Sequence, residues 1–348
     1  MSNVIAMPAK TQFKYYNYAK LYSFNCSYNF LIGARGLGKT YGIKKKTIKD
    51  AIRRGDMFIY LRRYEGEIAA AAPTFFADIE WEFPNHDFRY HHGMAQMSHI
   101  ESREDKKRIW TDIGFFIALS TAQKLKSVAF PKVKTIIFDE FIIEKGAIHY
   151  LPNEADVFNN FFSTVDRYKD KTKVLFLANS VSIMNPYFNQ YDIEPSELEE
   201  FTVMFDGFML VHMAKSDEFN NQVYKTKFGK FIKGTDYAEY AVGNEFIDNG
   251  KTLIEFKGYK AQYSYTIETD KGVFSVWQDE NNRQFYVQKK LPKKQVIFTL
   301  VAENMSKDKT MVTFNDPLLS YLRTSFRQGR LVFDVPSTRN AFIEIFSR

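Results

Sequence analysis

Residues 28–40 read YNFLIGARGLGKT. Five mostly apolar residues run into Gly33, Ala34, Arg35, Gly36, Leu37, Gly38, Lys39 and Thr40, and residues 39–54 continue as a helix former. A strand, then G-x-x-x-x-G-K-[ST], then a helix is the phosphate-binding loop in its required setting. The glycines let successive backbone N–H groups turn inward around phosphate oxygens. The helix N-terminus adds its positive end. Lys39 is expected to reach the β and γ phosphates of ATP, and Thr40 to offer a hydroxyl to Mg²⁺. This stretch predicts an α/β P-loop nucleoside triphosphatase with a parallel sheet flanked by helices.

About a hundred residues downstream, residues 134–140 read KTIIFDE. Four mostly apolar residues predict a buried strand, with two carboxylates at its C-terminal end. Asp139 is expected to hold Mg²⁺ through water, and Glu140 to orient and deprotonate the attacking water. The glutamate argues against a GTPase or a small-molecule kinase. It points to the additional-strand class of ATPases, in which an extra strand lies between the P-loop strand and the Asp-Glu strand. Residues 114–119 are the natural candidate for that strand. Residues 57–61, MFIYL, form another strand and end at Arg62 and Arg63. Residues 174–177 form a fifth, followed by Ala178, Asn179 and Ser180. Asn179 is a candidate sensor of the γ-phosphate, and a plain polar strand end is the competing reading. Arg167 and, second, Lys126 are candidates for a basic residue acting on a neighbouring subunit's nucleotide. Lys44, Lys45, Lys46 and Lys49 read as a solvated helix face. Residues 82–108 read as a polar surface excursion, and the six histidines give no metal pattern.

After about residue 200 the pattern changes. Residues 201–247 read as a helical linker region, and from 252 onward strand-like runs separated by turn formers suggest a β-meander, followed by a helix over 317–326. The expected organisation is an ATPase domain over 1–200, the linker over 201–247 and a small α+β domain over 248–348. A length of 348 residues agrees with about two domains. A 45% hydrophobic and 26% charged composition is that of an ordinary globular protein. With Cys26 alone, neither an internal disulfide nor a cysteine zinc cluster can form. No apolar run is long enough for a spanning helix, so no membrane partner is expected. Residues 1–10 lack the apolar core of a signal peptide, so secretion is not expected. The net charge is +7, and residues 221–348 hold 20 Lys and Arg against 14 Asp and Glu. A polyanion partner there competes with ordinary solvated lysine.

GARGLGKT with Arg35 in the loop, IIFDEF (136–141), LANS (177–180) and TDYAEYAVGNEF (235–246) together resemble the DNA-packaging ATPases of tailed phages. The length is similar to the small Picovirinae-type encapsidation ATPases, short relatives of terminase large subunits. That resemblance implies a ring, typically a homopentamer, at the portal (connector) of a procapsid in the host cytoplasm. It implies ATP-driven threading of double-stranded viral DNA. It further implies that the C-terminal domain resembles an RNase H-like nuclease that has lost cleavage, and that in some members it docks on a structural packaging RNA. Arg62, Arg63 and Lys145 are then candidates to line the channel and touch phosphates, since backbone charge is uniform along DNA. Asp270, Asp279, Asp308 and Asp316 lie scattered on turn-like segments and form no convincing cluster of three. A terminase-like ATPase with an active nuclease, and a helicase or recombination ATPase, are the alternative readings.

Overall fold

The structure is a computed structural model, and it describes residues 15–100, 108–143, 149–181, 185–194, 198–244, 254–281, 283–327 and 330–346. The chain divides into two compact units. The first comprises residues 1–142, 160–180 and 199–247, and the second comprises 143–159, 181–198 and 248–348.

The first unit is built on nine strands: β1 (Tyr28–Gly33), β2 (Met57–Arg62), β3 (His86–His91), β4 (Met94–His99), β5 (Thr111–Ala118), β6 (Val133–Asp139), β7 (Lys173–Ala178), β8 (Phe201–Met204) and β9 (Met209–Ala214). They form one sheet in the order β3-β4-β5-β2-β6-β7-β1-β9-β8. The six strands from β5 to β9 run parallel. Their middles are near-continuous apolar runs because helices cover both faces of such a sheet. The helices of this part of the chain are α1 (Ala19–Ser23), α2 (Lys39–Arg54), α3 (Glu65–Ala71), α4 (Glu154–Asp166), α5 (Pro186–Gln190), α6 (Asp217–Lys225), α7 (Lys227–Ile232) and α8 (Asp236–Ala241), of which α5 and residues 154–159 of α4 belong to the second unit.

An additional strand does separate the P-loop strand from the Asp-Glu strand, but it is β7 and not the run at 114–119. β7 pairs with β6 on one side and β1 on the other, whereas β5 lies beyond β2. Local sequence carries no trace of this order. The distinguishing mark is burial: Val174, Leu175, Phe176 and Leu177 are all buried, as a central strand requires, while Thr111 and Asp112 of β5 are exposed. Phe30 and Phe176 face each other in register across β1 and β7, their rings stacked with centroids 4.1 Å apart.

Two other expectations change. The polar stretch after Glu82 contains the hairpin β3–β4, which pairs antiparallel with β5 and extends the sheet. The first part of the expected linker is also sheet: β9 pairs parallel with β1, and β8 folds back on β9. The apolar patches around Asp206-Gly207 are two strands joined by a tight turn, in which Asp206 has φ +52°.

The second unit holds β10 (Gln262–Thr269), β11 (Gly272–Asp279), β12 (Gln284–Gln288), β13 (Ile297–Thr299), β14 (Lys309–Met311) and β15 (Leu331–Phe333), in the order β14-β13-β10-β11-β12-β15. The first three are the expected antiparallel meander, and β13 and β14 continue it in parallel on the β10 side. Three antiparallel strands followed by two parallel ones is the order of RNase H-like sheets. Two helices, α9 (Pro317–Arg327) and α10 (Pro336–Ile343), place Leu319, Leu322 and Phe342 against Ile267, Phe274 and Phe333. Glu268 is anchored by the Lys309 ammonium at 2.8 and 2.9 Å.

One carboxylate fixes the entry to β7. Asp166, buried at the end of α4, accepts backbone N–H bonds from Lys169, Asp170, Lys171 and Thr172 at 2.9 to 3.0 Å. Burial pushes its pKa up, but these four donors outweigh it and hold the carboxyl below its ordinary value. A depressed folded-state pKa stabilises the fold above the unfolded carboxyl pKa, and that contribution is lost as pH falls through the folded value. Asp166→Ala should therefore cost about 1–3 kcal/mol at neutral pH. Denaturant titration checks this, and the gap between variant and wild type should narrow as the pH falls through the depressed folded-state value of the carboxyl.

Candidate functional site

The phosphate loop follows directly from the local sequence. β1 is wholly buried and delivers the chain to residues 34–38, and α2 begins at Lys39. Gly36 and Gly38 have φ of +80° and +84°, a region that favours glycine. A Cβ on Gly38 would also lie 2.6 Å from the ring of Tyr15. The loop is therefore closed on its outer side by an aromatic ring, with Tyr41 at 5.4 Å from Tyr15.

Lys39 is 7% exposed. Its ammonium donates to the carbonyls of Gly33 (2.7 Å) and Ala34 (2.9 Å) and to Asn179 Oδ1 (3.1 Å). Burial pushes its pKa down to about 8, with Asp139 pulling the other way. Tyr18 donates to the Lys39 carbonyl at 2.7 Å and ties the first turn of α2 to the segment before β1. Thr40 Oγ1 donates to Asp139, 3.2 Å from each carboxylate oxygen, and Tyr60 Oη donates to Asp139 Oδ2 at 3.0 Å. A hydroxyl and a carboxylate side by side are hard oxygen donors of the kind magnesium takes.

Glu140 follows at a turn with φ +57°, and its side chain is 64% exposed. Arg62 donates to Glu140 Oε2 at 2.5 Å and to Glu67 Oε1 at 3.1 Å. Arg63 is fully buried and donates to the carbonyls of Glu140 (3.3 Å) and Phe141 (2.8 Å), with its guanidinium over the Phe138 ring. Arg62 and Arg63 thus divide the work: one holds the carboxylate, the other the backbone behind it. This corrects the expectation for Arg63, which has no surface to offer a DNA phosphate. β2 lies beside β6 with Leu61 opposite Phe138, so Arg62 falls beside Asp139 and Glu140. The Arg-Arg pair ending MFIYL was the sequence signal for this, and only the strand order was missing. Lys145 lies outside the described residues.

Of the α2 lysines, Lys49 is exposed as expected, but Lys44, Lys45 and Lys46 are held by partners and form no freely solvated face. Lys44 is buried over the Phe75 ring and paired with Asp78 at 3.2 Å. Lys45 pairs with Glu82 and Lys46 with Asp50, each at 2.5 Å.

Asn179 stands at the C-terminal end of β7, beside the loop. Arg167 stands before the N-terminal end of the same strand, exposed, with φ +54° and its guanidinium on the Val128 carbonyl at 3.2 Å. Lys126 is exposed two residues away from Val128. Lys39, Thr40, Asp139, Glu140 and Asn179 therefore come together, while Arg167 and Lys126 lie elsewhere in the same unit. Arg35 contributes through its backbone: its N–H donates to the Ala241 carbonyl at 3.0 Å and ties the loop to α8.

The chain matches the family model described as Podovirus DNA encapsidation protein (Gp16) over residues 10–348. It is 33% identical over 340 residues to the DNA packaging protein of Bacillus phage phi29, covering 96% of this chain and 97% of that protein. The bacteriophage Phi-29 viral genome packaging motor assembly has a similar chain, with a TM-score of 0.68 at 33% identity over 96% of this chain and 99% of that one. The N-terminal domain of the DNA packaging ATPase from bacteriophage phi29 is similar at a TM-score of 0.51 and 36% identity, covering 59% of this chain and 98% of that domain.

The depressed pKa of Lys39 makes the charge at this loop pH-dependent. Below pH 8 the free protein carries the ammonium charge; above it, that charge is largely lost. Phosphate oxygens favour the charged form and raise the pKa in the complex. Nucleotide affinity should then be highest below pH 8 and fall above it, by up to about tenfold per pH unit, because binding must take up a proton. Calorimetry in buffers of different ionisation heat should show uptake approaching one proton at about pH 8.5 and little at about pH 7. Equal uptake at both would contradict the assignment.

Proposed function

Since the chain belongs to the Podovirus DNA encapsidation protein (Gp16) family, we propose that it is the ATPase of a motor that moves viral double-stranded DNA into a procapsid. The observation that carries this reading is the convergence of Lys39, Thr40, Asp139, Glu140 and Asn179 at the C-terminal ends of the adjacent strands β1, β7 and β6.

In this reading ATP lies along residues 33–40. Lys39 exchanges carbonyl and Asn179 oxygens for oxygens of the β and γ phosphates. Thr40 and Asp139 hold Mg²⁺, which when bound supplies positive charge to those phosphates. Glu140 takes the proton of the attacking water as its oxygen bonds to the γ-phosphorus and the bond to the β-γ bridging oxygen breaks. Arg62 positions Glu140 by donating to its Oε2 at 2.5 Å. Asn179 touches Lys39 and senses the γ-phosphate through it.

Arg167 and Lys126 serve a neighbouring copy. β7 is a six-residue strand between Arg167 and Asn179, roughly 20 Å long at about 3.3 Å per residue, so Arg167 does not reach its own loop. The assembly is then a ring, a homopentamer on the family's pattern, seated at the portal. The DNA is gripped by its phosphates, and the basic surplus after residue 220 suits that partner or a packaging RNA. Among the described residues no helix is long and apolar enough to cross a membrane.

Lys39→Ala should abolish nucleotide binding. Glu140→Gln should bind ATP normally and turn over about 10²–10⁴-fold more slowly. A fluorescent-nucleotide titration beside a phosphate-release assay separates the two, and wild-type turnover by Glu140→Gln would sink the catalytic assignment. Arg167→Ala mixed in equal amount with wild type should cut DNA-stimulated hydrolysis well below half. A strictly proportional loss would remove Arg167 from any role between subunits.

A further inference from the structure

Two features of the first unit stand outside the nucleotide site. One is a projection. Residues 225–233, KTKFGKFIK, hold four lysines and no acid. α7 turns back sharply on α6, for a Cβ on Gly229 would lie 1.9 Å from the Val223 carbonyl oxygen. The turn thrusts out Phe228, 60% exposed, and Phe231, 81% exposed. Among the described residues no ion pair engages Lys225, Lys227 or Lys230.

The other is a groove. A cavity of about 370 Å³ opens between α3, β5 and residues 119–125, with Ile68, Ala69, Phe116, Ile117 and Leu125 as its apolar lining. Glu65 and Lys124 also line it. The wall belongs to an acidic stretch: residues 64–88 hold six Asp and Glu and no Lys or Arg. Glu67, Asp78, Glu82 and Asp87 are paired with Arg62, Lys44, Lys45 and Arg108. Glu65, on the groove, has no ion pair among the described residues.

The projection follows β9 and the groove adjoins β5. Five strand spacings separate those two strands, roughly 24 Å at about 4.8 Å each. Both features lie toward the C-terminal ends of the strands: Phe219 of α6 abuts Gly36 of the phosphate loop, and the groove takes in Ala118, the last residue of β5. A molecule cannot fill its own groove. A second copy, set edge to edge, can. A projection on one flank and its receptor on the other make a head-to-tail contact, the kind that closes into rings.

We propose that Phe228 and Phe231 of one copy seat in the groove between α3 and residues 119–125 of the next, with the α7 lysines facing Glu65. The inference rests on the ring reading above and deepens it. The groove is continuous with the segment that carries Lys126 and whose Val128 holds Arg167. The projection is continuous with the loop that grips the nucleotide, through Phe219 and through Arg35 on Ala241.

The test is cross-linking in motors assembled on procapsids with DNA and ATP. Cys26 is buried and should stay silent to a short bis-maleimide. A chain carrying both Phe231→Cys and Ala69→Cys should give a ladder of multimers. The two single variants mixed should give dimers only, and either alone should give none. Phe231→Cys with Arg53→Cys, at the other end of α2, is the control. Phe231→Ser should lower DNA-stimulated hydrolysis about tenfold while leaving nucleotide affinity within about twofold, and Phe231→Leu should restore most of it. An absent ladder, or an equal ladder from the control, overturns the contact. So does a finding that Phe231→Ser leaves DNA-stimulated hydrolysis unchanged and instead weakens binding of a single-stranded oligonucleotide about tenfold, for the patch would then be a base-stacking surface. If the ladder is absent but Arg167→Ala still poisons mixtures, the ring stands without this contact. If neither appears and DNA stimulates no hydrolysis, the motor reading itself has failed.

Discussion

The first unit depends on an ammonium group taken almost wholly out of water. Lys39 is buried at the C-terminal edge of the parallel sheet, and it stays charged near neutral pH only because oxygens of Gly33, Ala34 and Asn179 replace its hydration. Two of those oxygens belong to the loop. The third arrives at the end of β7, which must therefore lie next to β1. Burying a charge without such partners costs several kcal/mol. The adjacency of β1 and β7 is thus tied to the chemistry and is more than a convenience of packing. Phe30 against Phe176 and the five-residue register between the strands hold it in place.

The acidic half of the site is organised from the opposite side, by β2. Tyr60 reaches Asp139, Arg62 reaches Glu140 and Arg63 reaches the carbonyls of the turn. Three of four consecutive residues of one strand end thereby orient the Asp139 carboxylate, the Glu140 carboxylate and the backbone beneath them. The two arginines are neighbours with different fates. Arg63 is locked in the interior by carbonyls and an aromatic face, so its role is fixed. Arg62 is bound to one exposed carboxylate and one half-buried one, so its contact with Glu140 is the one that ligand binding is able to break.

The loop and the acidic pair were legible because their chemistry is local. Positive φ at Gly36 and Gly38 dictates glycine, and an apolar run ending in two acids dictates a strand edge. Strand order was not legible. Whether β5 or β7 stands beside β1 depends on crossovers tens of residues long, and both runs satisfy the same local pattern. The histidine-bearing hairpin was missed because its alternation is weak: most of its side chains are half-buried at an edge. β8 and β9 were missed because a two-strand turn around Asp206-Gly207 resembles a break in a helical linker. Lys44 was read as solvated because nothing in a lysine-rich run marks which member lies over a phenylalanine. Arg63 was read as a DNA contact because burial of a cation is a tertiary event, dependent on carbonyls supplied by another strand.

β7 joins these pieces mechanically. Its C-terminal end presents Asn179 to Lys39, and its N-terminal end begins just past the turn that Asp166 clamps with four backbone bonds and that carries Arg167. Between them the strand is buried on both faces and bonded along both edges, so it moves as a unit or not at all. A close-packed interior transmits displacement with little loss. If Arg167 serves the next copy and Asn179 its own, as proposed, a change at one subunit's γ-phosphate and a shift of its cation at the neighbour's site would be two ends of one displacement. Sequential firing around the proposed ring would then need no separate signalling element, because the strand that ends at Asn179 begins just past Arg167.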